Sequence, residues 1–252
     1  MDLSLFQLLL LSLLGVLAGI INMMAGGGSN LILPVLMLFG VPADVANASN
    51  RVGVLLQSIS GTAGFYRAKR LPTEDLPAIM LPTLLGGLVG ALAASYVPVA
   101  VLKPVLLLTV LSVAAAVALK PSLLVRDQEV EPFTVAQNPQ SRWWLFATGI
   151  YGGFVQAATG FVMLPVLAGI LCYDLVRATA LRVCCTLGFT IVALIVFLSR
   201  GQVDWIIGLV LAAGSSIGAQ IGVHTVIKLR PETLRKILFL MTLVAVVMAF
   251  LK

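Results

Sequence analysis

A chain of 252 residues with 60% hydrophobic and only 10% charged residues falls outside the soluble class, where about a quarter of residues carry charge. Its formal charge of +6 does not mark a nucleic-acid partner, because the basic residues sit mostly in short connections between apolar runs and form no extended surface with aromatics. The mean hydropathy is +1.09 and the apolar runs approach the roughly 20 residues that cross a bilayer as helix. The chain therefore reads as an all-α polytopic membrane protein, not a barrel of alternating strands.

The first predicted helix covers Leu3–Met24. Only Asp2 precedes it, without the basic start of a secretory signal, and its apolar stretch is long, so it is assigned to the mature protein. It runs into "AGGGSN", where Gly26, Gly27 and Gly28 are followed by Ser29 and Asn30. The next apolar segment, Leu31–Gly40, has ten residues. As helix it rises about 15 Å, half of a roughly 30 Å hydrocarbon core, so it cannot cross unaided. Val45–Tyr66 carries Asn47, Ser49, Asn50 and Arg51, and Leu76–Val97 and Val99–Leu119 complete a first half. After a hydrophilic linker come Trp143–Ala158, Phe161–Cys172, Leu175–Leu198, Trp205–Val223 and Leu234–Phe250. The second segment is again short, and it follows a second break, "QAATG", which contains Gln156, Thr159 and Gly160.

The halves resemble each other. "LILPVLMLFG" matches "FVMLPVLAGI", pairing Pro34 with Pro165; at the same offset "NASNRVGV" lies over "ATALRVCC", pairing Arg51 with Arg182. Further on, "GGLVGA" resembles "GSSIGA". Matches in one order predict an internal repeat within a single transmembrane domain, 1–119 and 143–252 around the linker 120–142. An odd number of segments per half implies inverted topology. Placing Arg67, Lys69 and Arg70 in the cytoplasm also brings inside the linker, the Arg177 turn and "KLRPETLRK", as the positive-inside rule requires. Both termini are then extracytoplasmic. If a long and a short segment form a re-entrant hairpin, that parity holds.

Irregular backbone at membrane depth survives only against protein or a water-filled cavity. Paired short or glycine-interrupted segments in corresponding positions point to a transporter's binding site. Gly26, Gly27 and Gly28 let a ligand approach the backbone, and the start of a short helix offers N–H groups and a positive dipole end to an anion. The alternative is that these glycines serve close helix packing. The break is no nucleotide loop, because the Gly-Lys-Ser/Thr ending is missing. Arg51 and Arg182 are each predicted about 10 Å inside a helix. An intramembrane cation costs roughly 2.5–3.5 kcal/mol at the centre and marks function by default; snorkelling to the interface is the competing reading. No carboxylate lies deep in any segment, so a bound anion would supply the counter-charge, with Asn47, Ser49, Asn50 and Thr179 completing a polar cage. Cys172, Cys184 and Cys185 lack metal-ligand spacing. His224, near a helix end, is assigned to the interface. Neither a metal nor a cofactor is expected.

The motifs "AGGGSNLILPVL", "VPADVANASNRVGVLLQSISG" and the basic "YRAKR", with a degenerate second copy, resemble the TauE/SafE sulfite-exporter family. The resemblance covers nearly the whole chain and rests mainly on its first half. It implies a permease of the bacterial cytoplasmic membrane linked to export of sulfite and other small organosulfur or carboxylate anions. The glycine break, the "NASNR" stretch and the Arg182 region would line its pathway. The expected function is a secondary carrier for sulfite or a sulfonate such as sulfoacetate. The anion would bind near the midplane, with alternating access by motion of one half against the other. A carrier for a carboxylate or inorganic sulfur anion, and a non-transporting accessory or assembly protein, are the alternatives. An intramembrane enzyme lacks its constellation: no His-Glu-x-x-His, no Gly-x-Ser-x-Gly and no pair of deep aspartates occurs. The bilayer and a small anion are the expected partners, and glycine-rich helix faces permit a homodimer.

Overall fold

The computed structural model describes residues 4–106, 108, 112, 131–229 and 233. The sequence expectations for residues 113–130 and for Leu234–Phe250 lie outside the described residues. Helix α1 (Leu5–Ala25) opens on a capping box between Ser4 and Gln7 and closes on Gly26 in the left-handed conformation. The short α2 (Ser29–Leu38) holds Pro34 inside it and begins two residues earlier than the apolar pattern indicates. It is followed by α3 (Ala43–Arg67) and α4 (Leu76–Tyr96), and then by helical residues 99–106. In the second half α5 (Ser141–Phe154) ends at the second break. One helix, α6 (Thr159–Leu164), passes directly into a π-helical segment at Pro165–Ile170. The proline ring cannot donate to the carbonyl four residues back, and wider i→i+5 turns are one way a helix absorbs that loss. Long helices α7 (Leu175–Ser199) and α8 (Trp205–Lys228) follow, both N-capped by aspartates, Asp174 and Asp204.

Four of these helices, α1, α4, α7 and α8, are long and apolar enough to cross a membrane. Lipid-facing stripes are visible on α1 (Leu5, Phe6, Leu9, Leu13, Leu17), α4 (Leu81, Leu85, Leu88, Leu92) and α8 (Ile206, Leu209, Ile217, Ile221), all exposed. In contrast α3 is polar yet buried: Asn47, Ser49, Asn50, Arg51, Gln57 and Ser58 all lie inside. At 25 residues it is about 37 Å long, enough to span. Its polar side chains are tolerable because protein, not lipid, surrounds them.

The most extensive helix pairings join the two halves: α1 with α8, and α4 with α5, while α3 packs on both α7 and α8. Glycines set the first two. A Cβ on Gly86 or Gly90 would collide with the carbonyl oxygen of Phe146 or Ile150, and one on Gly214 or Gly218 with that of Ser12 or Val16. These four glycines come from the matching "GGLVGA" and "GSSIGA", so corresponding motifs make corresponding seams. Small residues at this spacing let membrane helices approach backbone to backbone. The glycine faces of α4 and α8 are thus occupied within the chain.

At one end of the bundle the linker docks on both halves. Val135 N–H donates to an Asp75 carboxylate oxygen at 2.9 Å, and Phe133 N–H to the Leu171 carbonyl at 2.9 Å. The loop before α4, the linker and the turn before α7 therefore share one end. At the other end the Arg200 guanidinium stacks over Tyr96, 4.4 Å from the ring centroid.

Candidate functional site

The two chain breaks meet in the interior. Gly26 adopts φ +73°, and a Cβ there would collide with the backbone of Gly160. Gly160 N–H donates to the Gly26 carbonyl at 3.3 Å. The second break reaches its shape without a glycine run: Gln156 and Ala158 have φ of 65° and 57°, a region that costs roughly 1–2 kcal/mol for residues with a Cβ. Such strain persists where surrounding structure fixes it, commonly at functional sites. Here the break is held by Tyr151, whose hydroxyl donates to the Ala157 carbonyl at 2.8 Å, and by Thr159, whose hydroxyl donates to the Gln156 carbonyl at 3.0 Å. Gly27 faces the edge of the Phe161 ring, while a Cβ on Gly28 would run into the Ala18 carbonyl of α1. Close packing is therefore part of the role of Gly26 and Gly28.

Both arginines are buried, 0% exposed for Arg51 and 1% for Arg182, so neither snorkels. Each crosses to the broken end of the other half's first helix. Arg182 donates through Nη2 to the carbonyls of Asn22 (2.7 Å) and Met23 (3.1 Å) at the end of α1. Arg51 donates to the carbonyls of Gly152 (3.1 Å), Gly153 and Phe154 (3.4 Å) at the end of α5. The register that pairs Arg51 with Arg182 also pairs Gly153 with Asn22 and Phe154 with Met23, so the docking is reciprocal residue by residue. The last carbonyls of a helix lack intrahelical partners and carry the negative end of its dipole, a natural seat for a cation. Arg51 also donates to the Gln156 side-chain oxygen at 2.6 Å and lies 4.9 Å from the Phe197 ring centroid. Among the described residues neither arginine has a carboxylate partner; the one ion pair joins Arg177 to Asp174 at the surface. The Nε of both arginines is buried and unpaired. Carbonyls supply part of the counter-charge that the sequence assigned wholly to a ligand.

The remaining candidates divide. Asn47 joins the Arg51 cluster, donating to the Phe154 carbonyl at 3.0 Å, and Gln156 links that cluster to Thr190, 3.3 Å away. Ser49 points elsewhere, accepting from Asp204 N–H at 2.8 Å. Thr179 bonds back to the Leu175 carbonyl at 2.7 Å. Neither belongs to a cage around the guanidinium groups. Asn30 is half-buried at the start of α2, its side-chain oxygen unpaired. Asn50 donates to the Ser29 hydroxyl at 3.0 Å, beside a small chamber between α1, α2, α3 and α8. It has room for about one water. Its polar lining is Asn22, Ser29, Asn50, Gln57 and Ser215. Asn22, Gln57 and Ser215 were missed from sequence, although Asn50 and Gln57 share a helix face at i and i+7.

A family profile described as "Sulfite exporter TauE/SafE" matches residues 11–249. The chain belongs to the TauE/SafE sulfite exporter family. This TauE/SafE member is 32% identical over 228 residues to "Probable membrane transporter protein ORF9" of Sinorhizobium sp, covering 88% of this chain and 84% of the relative. It is 26% identical over 246 residues to a "Probable membrane transporter protein" of Haemophilus influenzae, covering 96% and 94%. With "Probable membrane transporter protein YfcA" of Escherichia coli K12 it shares 29% over 232 residues, covering 90% and 84%. No solved structure matches it significantly. Family and relatives place the chain among membrane transporters.

Proposed function

We propose that this membrane transporter is a secondary carrier of a small anion of the sulfite or sulfonate class. Two inverted halves would be set in a bacterial cytoplasmic membrane, with both termini outside. One observation carries the reading: two fully buried guanidinium groups, one from each half, meet two crossing chain breaks with no carboxylate partner among the described residues. A site that keeps positive charge and helix starts inside a membrane favours a negatively charged guest. Sulfur oxyanions accept several hydrogen-bond donors at once and are drawn by the positive potential of nearby guanidinium groups. The name of the family and the bacterial transporters among its relatives support the same reading.

Access would alternate around this centre. The glycine seams tie α1 to α8 and α4 to α5 across the halves, which opposes rocking of one whole half against the other. The short α2 and α6 make the sparser contacts and would carry the motion. The test is counterflow in liposomes containing only the purified protein, with labelled sulfite, sulfoacetate and acetate. Saturable exchange of at least one anion is expected; absence of exchange with all three overturns the carrier.

A further inference from the structure

We infer that the chamber at the start of α2 reads an oxygen of the carried anion, and that Gln57 is its main contact not yet assigned. The inference rests on the carrier reading above and gives the recognition to neutral groups, leaving the arginines to set the potential. Gln57 lies on α3, 2% exposed, and its amide nitrogen is buried without a partner while the side chain lines the chamber. A buried, unpaired amide is unfavourable in any fold, and more so at membrane depth. Helix α3 buries other unpaired polar atoms, on Asp44, Asn47, Arg51, Ser58 and Thr62, but of these residues only Gln57 lines the chamber, where an acceptor can reach it. Other donors converge there. Ser29 accepts from Asn50, which leaves the Ser29 hydroxyl hydrogen free; α2 begins without a side-chain cap, and although its Asn30 and Leu31 N–H groups bond to the Gly27 and Gly28 carbonyls, the positive end of its dipole lies at the chamber. No carboxylate lines the chamber.

The size argues for one oxygen of an oxyanion at a time, since the space is that of about one water. Loading it therefore requires α2 to draw back from α3, and the Asn50–Ser29 bond is the contact that lengthens. The chamber's amides and the Ser29 hydroxyl come from the first half, while Leu211 and Ser215 of α8 close its other side. The register of the repeat puts Gly160 at Ser29, Leu181 at Asn50 and Gly188 at Gln57, so the second half has no equivalent amide or hydroxyl. One anion per chain is the consequence.

The test is Gln57→Met, which keeps length and removes the amide. Sulfite, sulfoacetate and acetate serve as probes in counterflow, alongside thermal melting of anion-free protein in detergent. Removing an unpartnered buried amide should leave the anion-free melting temperature equal or higher. The half-saturation for the carried anion should rise at least about tenfold, the size of one hydrogen bond to a charged group. Ser29→Ala should raise half-saturation in the same direction. An unchanged half-saturation in Gln57→Met overturns the inference while leaving the carrier intact. Failure of Gln57→Met to fold overturns it too, because the amide would then be part of the resting structure. If wild-type protein exchanges none of the three anions, the carrier reading falls first and the chamber's role with it.

Discussion

Arg51 and Arg182 do the same thing at opposite broken helices: one guanidinium nitrogen, Nη2, donates to two successive backbone carbonyls. An ammonium group keeps the charge, but it stands on a flexible stem of shorter reach and lacks the rigid plane that aims Nη2 at both carbonyls. The Phe154 carbonyl keeps its bond from Asn47 and the Asn22 carbonyl its bond from Gly26 N–H, but the buried Gly153 or Met23 carbonyl loses its donor, at a cost of about 1–3 kcal/mol. Arg51→Lys and Arg182→Lys are each expected to lower the melting temperature in detergent by about 3–10 °C for a chain of this size. Arg177→Lys is the comparison. Its partner Asp174 is 3.2 Å away, with both side chains about half exposed, and surface pairs of this kind contribute about 0–1 kcal/mol. If the two buried lysine variants melt with wild type, the arginines do not fasten the helix ends. The partners of these arginines were not legible in the sequence, because backbone carbonyls leave no trace in residue type. The misdirection of Ser49 was legible. It precedes Arg51 by two positions, about 200° around the helix, and so faces away.

Among elements, the glycine seams and the short helices divide the work between rigidity and motion. Gly90 and Gly218 hold equivalent places on α4 and α8, and each meets a carbonyl oxygen of the helix across the seam, Ile150 or Val16. Backbone atoms cannot swing aside as a flexible side chain can, so an added methyl must part the helices. Gly90→Ala and Gly218→Ala are expected to destabilise by similar amounts, on the order of 1–3 kcal/mol each. Gly169→Ala, with nothing within 4 Å of its added carbon, should be neutral. Thermal melting of the three variants decides it, and a tolerated Gly90→Ala or Gly218→Ala would show that its seam is not close-packed. Much of this level could be read beforehand. Short segments, the two breaks and the "GGLVGA"/"GSSIGA" match are departures from a uniform apolar pattern, and such departures are what sequence displays. Which helices those glycines face depends on three-dimensional crossing, and the motif carries no signal of it. Nor could apolar periodicity set the start of α2, since Ser29 and Asn30 are polar yet helical.

For the whole molecule the question is which bodies move. Sequence halves suggest two units rocking about a central anion, but contacts are strongest across the halves, and each arginine fastens one half to the other. The alternative is a frame of long helices with α2 and α6 shifting inside it. A reversible bridge between α3 and α8 separates these. Gln220 of α8 donates to the Ser60 hydroxyl of α3 at 2.6 Å and to its carbonyl at 3.0 Å, and Gln220 is exposed, so the pair is close and reachable by reagent. In a background with Cys172, Cys184 and Cys185 replaced by alanine, Ser60→Cys with Gln220→Cys can be joined by a short bifunctional thiol reagent and released by reductant. A frame predicts that bridged protein keeps counterflow within about twofold of released protein, a difference below about 0.5 kcal/mol in the barrier. Rocking halves predict that the bridge halts exchange and that reductant restores it, because α3 and α8 then belong to opposite bodies. A halt would return the motion to the halves and require the glycine seams to slide.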